Sequence, residues 1–224
     1  MKSKIFYTLT LSLCLVCSCR ENKQEKQNLE AERMLVEQID SIQNHKRNAA
    51  IRDEGKVVAD LKFFISEDDF YKNKESYLSS IKSEKSSIKN YYIGNFECDP
   101  LIGGAKFDND SLYSVTFEST VYDSNSFQTM VPVYKDLFSL YEDKFGEPDF
   151  KAPGFPKLYE ISNNQLNELA RWDLGKRSIS IRVSERYGYY HIDLVIYRND
   201  IEDRIHIENE NTARERRESA SSVI

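Results

Sequence analysis

The sequence predicts an α+β fold: two successive helix–strand–strand–strand units with antiparallel sheet, preceded by an N-terminal helical stalk. Three observations carry this expectation. Between residues 57 and 198, short runs place apolar side chains at alternate positions, the period of strands with one buried face. Two stretches repeat every three to four residues between capping residues, the period of helices. The order helix, strand, strand, strand then occurs twice, over residues 66–121 and 129–197. Helices covering one face of an antiparallel meander define the α+β layout. The 224 residues are 40% hydrophobic and 12% aromatic, enough apolar surface to offset the ordering entropy of a core. A formal net charge of −6 argues against nucleic acid as a partner.

The chain begins with Lys2 and Lys4, followed by an apolar stretch over residues 5–16. Twelve residues are too few to span a bilayer but suit the apolar region of an export signal. Cys14, Cys17 and Cys19 follow closely, and only Cys19 is preceded by a small residue, Ser18. This charge–apolar–Ser–Cys order resembles the bacterial lipoprotein signal, with Val16 where Leu is usual and Cys17 where Ala, Ser or Thr is usual. The resemblance implies a signal peptide over 1–18 and a lipidated Cys19 as the mature N-terminus, anchoring the chain to a membrane. Arg20, rather than Asp, implies sorting to the outer membrane, with the periplasmic or surface face left open. The other reading is a secretory peptide cleaved nearby, giving a secreted module.

Residues 19–56 read as a lipid-anchored polar linker and amphipathic helix. Ala31, Leu35, Ile39 and Ile42 fall on one narrow stripe among charged residues. That seam fits a stalk, a docking helix, or a helix laid on its own domain.

The α+β domain is expected over 57–198. Val57, Ala59, Leu61, Phe63 and Ile65 alternate as one strand. Ser66 then caps a helix whose first turn holds Glu67, Asp68 and Asp69, where the macrodipole favours acids. Phe70, Tyr77, Leu78 and Ile81 form its apolar face. Strands follow at 91–98 and 103–107, with a turn near Asp99-Pro100. Asp108-Asn109-Asp110 turns the chain into a strand bearing Tyr113, Val115, Phe117, Ser119 and Val121 on one face. These aspartates lack the glycine and distal Glu of a calcium loop. The second helix carries Pro132 near its start and Tyr134, Leu137, Phe138 and Tyr141 on its buried face. Gly146 and Pro148 end it. Three strands close the domain, with inward residues Ala170, Trp172 and Leu174, then Ile179, Ile181 and Val183, then Ile192, Leu194 and Ile196. Residues 199–224 form a charged C-terminal tail, a frayed helix or disordered segment.

Two such units side by side resemble the tandem fold of the β-lactamase-inhibitor-like proteins, and one unit resembles the small lipoprotein of the outer-membrane barrel-assembly machinery. The hairpin over 107–117 and the helix end Lys144-Phe145-Gly146-Glu147-Pro148 carry this resemblance. It implies a binding or scaffolding role. No cofactor or metal is implied. His191 is expected to point away from the apolar face as a solvated side chain within reach of Asp193 or Glu185. Cys98 reads as a buried small hydrophobe or, less simply, a functional thiol. Tyr187, Tyr189 and Tyr190 surround Gly188, with Trp172 on a nearby strand. These four rings suit a binding surface for a protein or glycan, or else Tyr190 and Trp172 complete the core. The sequence therefore points to a non-enzymatic cell-envelope lipoprotein that binds a protein or glycan. The alternatives are a divergent envelope hydrolase centred near His191 and a secreted inhibitor-like module.

Overall fold

The computed structural model describes residues 2–82, 91–161 and 167–221. The chain divides into two compact units, Met1–His45 and Lys46–Ile224. The first is helical, part of α1 (Lys2–Arg52), and its Leu35, Ile39 and Ile42 are exposed. Cys19, where lipidation is expected, lies outside the residues whose side chains are described.

The second unit is α+β. After the last turn of α1 come a small hairpin of β1 (Lys56–Val58) and β2 (Leu61–Lys62), then α2 (Glu67–Tyr77). The strands β3 (Tyr91–Ile93), β4 (Phe96–Asp108) and β5 (Ser111–Ser119) follow, then α3 (Met130–Phe145). A two-residue β6 (Phe150–Lys151) precedes β7 (Asn167–Leu174), β8 (Arg177–Arg186) and β9 (Tyr189–Arg198), and α4 (Asn199–Ser221) closes the described chain. Both units are present in this order, the second with the short β6 as a fourth strand ahead of its three long ones. They join as one antiparallel sheet, β3-β4-β5-β9-β8-β7-β6, because the last strand of each unit pairs with the other.

Register builds the core. Phe117, Leu194, Ile181 and Ala170 are cross-strand neighbours on one row, and Val115, Ile196, Ile179 and Trp172 on the next. All eight are at most 2% exposed and pack in one cluster with Phe70 of α2 and Leu137, Phe138 and Tyr141 of α3. Ser66 caps α2 by accepting from the Asp69 N–H at 3.2 Å, as its sequence position predicts. Gly146, at φ +80°, ends α3.

Four local expectations change. The alternation over 57–65 is a hairpin and not one strand: Ala59, at φ +52°, reverses the chain while Val57, Leu61 and Phe63 still reach the core. The turn expected at Asp99-Pro100 falls at Gly94, and β4 runs through Pro100. Among the described residues β3 pairs only with residues 96–98, so none of its pairs requires an N–H from Pro100. Val121 lies outside β5 and is 59% exposed, since β5 ends at Ser119. The charged tail is helical as far as Ser221, anchored in its first turns by Lys106–Glu202 and Arg204–Asp108 ion pairs.

Arg177 fastens the end of α1 to the sheet. Its guanidinium is buried and donates to the carbonyls of Ala50 (3.2 Å), Asp53 (3.3 Å) and Lys56 (2.9 Å). The last carbonyls of a helix have no partner within it, and a cation there also meets the negative end of the macrodipole. Gly175, at φ +69°, makes the preceding turn possible, and a Cβ there would lie 2.5 Å from Glu54 Oε2. That oxygen instead accepts the Lys176 N–H at 2.8 Å. Arg47–Asp149 and Lys46 Nζ to Asp143 O (2.6 Å) add two further ties.

Phe117→Ala, at 0% exposure, should destabilise the domain by about 3–5 kcal/mol in urea titration. Arg177→Met keeps the aliphatic stem but removes three guanidinium hydrogen bonds to backbone carbonyls, so it should cost about 2–4 kcal/mol. Hydrogen exchange at residues 53–56 should then accelerate more than at β8 and β9.

Candidate functional site

The sheet has two unlike faces. The face turned away from α2 and α3 carries the residues between the core rows. One cross-strand rung is Glu118, Asp193, Arg182 and Glu168; the next is Thr116, Val195, Ser180 and Arg171; a third is Ser114, Tyr197, Ser178 and Asp173. Ser184 and His191 are opposed on the same face. Strand alternation dictates this: once Phe117 and Leu194 point into the core, Glu118 and Asp193 must point out.

Short side chains on β8 fix the long ones beside them. Ser178 Oγ donates to Asp173 (2.6 Å), Ser180 Oγ to Glu168 (2.6 Å) and Ser184 Oγ to Asp193 Oδ2 (2.7 Å). Arginines bridge these carboxylates. Arg171 meets Glu168 at 2.8 Å and Asp173 at 3.2 Å, Arg182 meets Glu168 at 3.8 Å, and Arg186 binds both Glu118 and Asp193, the latter at 2.9 Å. Arg182 also lies 5.6 Å from the Tyr197 ring. The outcome is a ladder of alternating charge in which the described groups neutralise one another.

His191 belongs to this ladder and is not solvated. It is 6% exposed and its Nδ1 lies 2.7 Å from Glu118 Oε1, off the line of a well-aligned hydrogen bond. Its partner is Glu118 on the neighbouring strand, not Asp193 or Glu185. Burial pushes the Glu118 carboxyl up, but His191 and then Arg186 outweigh it and hold it below its ordinary value of 4.5. Asp193 goes the other way. Its side chain is 1% exposed and Oδ1 has no hydrogen-bond partner, so burial raises its pKa despite Ser184 and Arg186. Ser184 and Asp193 are committed to each other below the surface, where a substrate carbonyl cannot reach them. The arrangement clamps β5, β9 and β8 together and presents fixed charges.

The four predicted aromatic residues separate. Trp172 is 0% exposed, stacks on Phe138 (5.6 Å) and Tyr141 (5.7 Å), and donates Nε1–H to Gly146 O at 2.8 Å. Its place on a core row removes it from any binding surface. Tyr190 is half-buried against Phe127 at 5.1 Å, an edge-on ring contact. Tyr187 and Tyr189 alone remain outward, 94% and 50% exposed, at the tip of the β8–β9 hairpin. Sequence reading missed Glu118, Arg182, Glu168 and Arg171; the only available signal was charge at every outward position of strands whose inward positions are apolar.

Cys98 is 3% exposed, and burial, with Asp99 and Glu97 nearby, pushes its thiol up to about 12. At neutral pH it is a protonated core side chain rather than a nucleophile. Among the described residues no three His, Cys, Asp or Glu side chains are grouped to hold a metal ion. Among them also, no helix is long and apolar enough to cross a membrane.

Compared with known proteins, the chain matches no family model, no curated protein and no solved structure.

Glu118→Gln should lower stability at pH 7 by about 1–3 kcal/mol, because Arg186 and His191 lose their shared carboxylate. A depressed carboxyl adds stability that is full above its unfolded pKa and lost as pH falls through its folded value. The gap between wild type and variant in denaturant titration should therefore narrow below pH 4.5 and close under strong acid. Asp193, being raised, has the opposite sign, so the difference between proteins is the quantity to follow.

Proposed function

We propose that this protein is a non-enzymatic cell-envelope lipoprotein, anchored through Cys19, whose α+β domain binds a partner with the outer face of its sheet. The observation that carries the binding role is the charge ladder Glu118–Arg186–Asp193 and Arg182–Glu168–Arg171–Asp173. Its side chains are already held in single arrangements, so ordering them on association costs little. Fixed alternating charges select a partner by complementarity more than by bulk affinity. The anchor rests on the Ser18-Cys19 signal, and placement at the outer membrane on Arg20. A hydrolase centred on His191 is the weaker reading, because Ser184 and Asp193 are buried and bonded to one another.

Palmitate labelling tests the anchor. Wild type should take label and sediment with membranes, and Cys19→Ala should do neither; label persisting in the variant overturns the assignment. A photo-crosslinking side chain at Thr116, an uncharged position on the outer face, tests the binding role in intact cells. One adduct is expected, its yield falling as salt is raised. No adduct from this face at any salt concentration would overturn the reading.

A further inference from the structure

Asp193 carries a charge that the fold would be more stable without. It is 0% exposed, and its cross-strand neighbours are Glu118 on β5 and Arg182 on β8. Oδ2 is well supplied, accepting from Ser184 Oγ at 2.7 Å and from Arg186 Nη2 at 2.9 Å. Oδ1 is closed off from solvent and, among the described residues, has no hydrogen-bond partner. An ionised carboxylate with one bare buried oxygen carries a desolvation cost that a neutral carboxyl escapes. A proton on Oδ1 removes that charge and leaves both donors to Oδ2 in place.

The charges around Asp193 leave it short of compensation. Arg186 is the guanidinium that meets it, and the same guanidinium also binds Glu118. Arg182 stands opposite in register but turns to Glu168 at 3.8 Å, to Ser180 Oγ and to the Tyr197 ring. Glu118 is a like charge, and Asp99 of β4 pairs in register with Glu118 on its far side. His191, two residues before Asp193 on β9, directs Nδ1 to Glu118 Oε1 at 2.7 Å. Burial therefore prevails over Ser184 and Arg186 and raises the Asp193 carboxyl above its ordinary 3.8, whereas Glu118 stays below its ordinary 4.5. On acidification Asp193 takes its proton first, and Arg186 then keeps a full ion pair with Glu118 alone.

We propose that Asp193 is a proton-operated catch beneath the binding face: ionised, it fixes Arg186 and readies the face for its partner; protonated, it loosens Arg186 and weakens the complex. The proposal rests on the binding role argued above, whose advantage is side chains already held in place. An arginine released from one of its two carboxylates must be ordered again on association, which lowers affinity about threefold. Stability moves the other way. A carboxyl raised on folding adds stability that is full below its unfolded pKa and lost as pH rises through its folded value, so ionised Asp193 weakens the fold while it readies the face.

The test compares the full-length chain carrying the Thr116 photo-crosslinker with the same chain bearing Asp193→Asn, an amide of the same shape standing for the protonated carboxyl at every pH. At pH 7 the variant should have a Tm about 2–4 °C higher and an adduct about threefold weaker. Weaker binding by a more stable protein separates the catch from folding. Carbon-13 NMR of the purified wild-type chain should place the Asp193 midpoint above 3.8, with the order of the Arg186 side chain falling over the same range. Across that range the gap in adduct yield between the two chains should close. An Asp193 carboxyl that titrates at or below 3.8, or an Arg186 side chain that ignores its titration, overturns the catch whatever the adduct does. An adduct as strong in Asp193→Asn as in the parent overturns it as well. So does a pH response that survives Asp193→Asn and disappears in His191→Gln. Absence of the adduct from the parent chain overturns the binding role itself, and with it the control of binding, while the NMR titration still decides whether Asp193 governs Arg186.

Discussion

The pairing of β5 with β9 is the constraint on which the rest of the domain depends. Five residue pairs, from Ser114–Tyr197 to Glu118–Asp193, join two helix–strand–strand–strand units that would otherwise each end in an open edge. A three-stranded meander with one helix buries little apolar area, and its unpaired edge invites aggregation. Joined through β5 and β9, the meanders share rows of buried residues that continue from Phe117 to Ala170 and from Val115 to Trp172. The same register places Glu118 beside Asp193 on the opposite face. A slip of one residue would invert both faces together.

The aromatic residues translate that register into helix placement. Ring contacts run from Tyr190 through Phe127, Phe155, Tyr134 and Phe138 to Trp172, then Tyr141 and Phe145, all with centroids between 5.1 and 5.9 Å. This path passes from the β9 end of the sheet along α3 to the helix terminus, where Trp172 holds Gly146 O. Phe145 then lies 5.8 Å from the Arg177 guanidinium, which grips the end of α1. The last turn of α1, the α3 terminus and the β7–β8 hairpin are thus fixed by one buried cation and the rings beside it. Replacing such a cation is severe because three charge-assisted hydrogen bonds to backbone carbonyls are lost at once.

Burial on the outer face has a different origin. Val195 and Tyr197 are buried there without joining the main cluster, and Ser178, Ser180 and Ser184 are at most 1% exposed under the arginine and glutamate side chains that cross them. Long charged side chains lie flat because serines offer hydrogen bonds and no bulk. That packing raises the Asp193 pKa by burial and lowers that of Glu118 through His191 and Arg186. It also leaves Tyr187 and Tyr189 as outward rings at the hairpin tip.

By itself the sequence determined the element order, because periodicity, caps and turn residues are local: Ser66, Gly146 and the alternation of β7, β8 and β9 each act through their immediate neighbours. It also marked the inward rows, since apolar residues at period two can bury only one face. Local pattern failed where two structures satisfy it equally. The run over 57–65 alternates as well in a hairpin as in a strand, and Ala59 bears no sign of its left-handed backbone. Trp172 and the tyrosines near Gly188 look alike in sequence, yet one completes a core row and another stands 94% exposed. Only the tertiary structure decided that the two units share a sheet, that Glu118 meets His191 and Arg186, and that Arg177 holds α1. Each of these joins residues 68 to 127 positions apart, and contact between distant strands follows from which edges find each other, a property no local window of the chain contains.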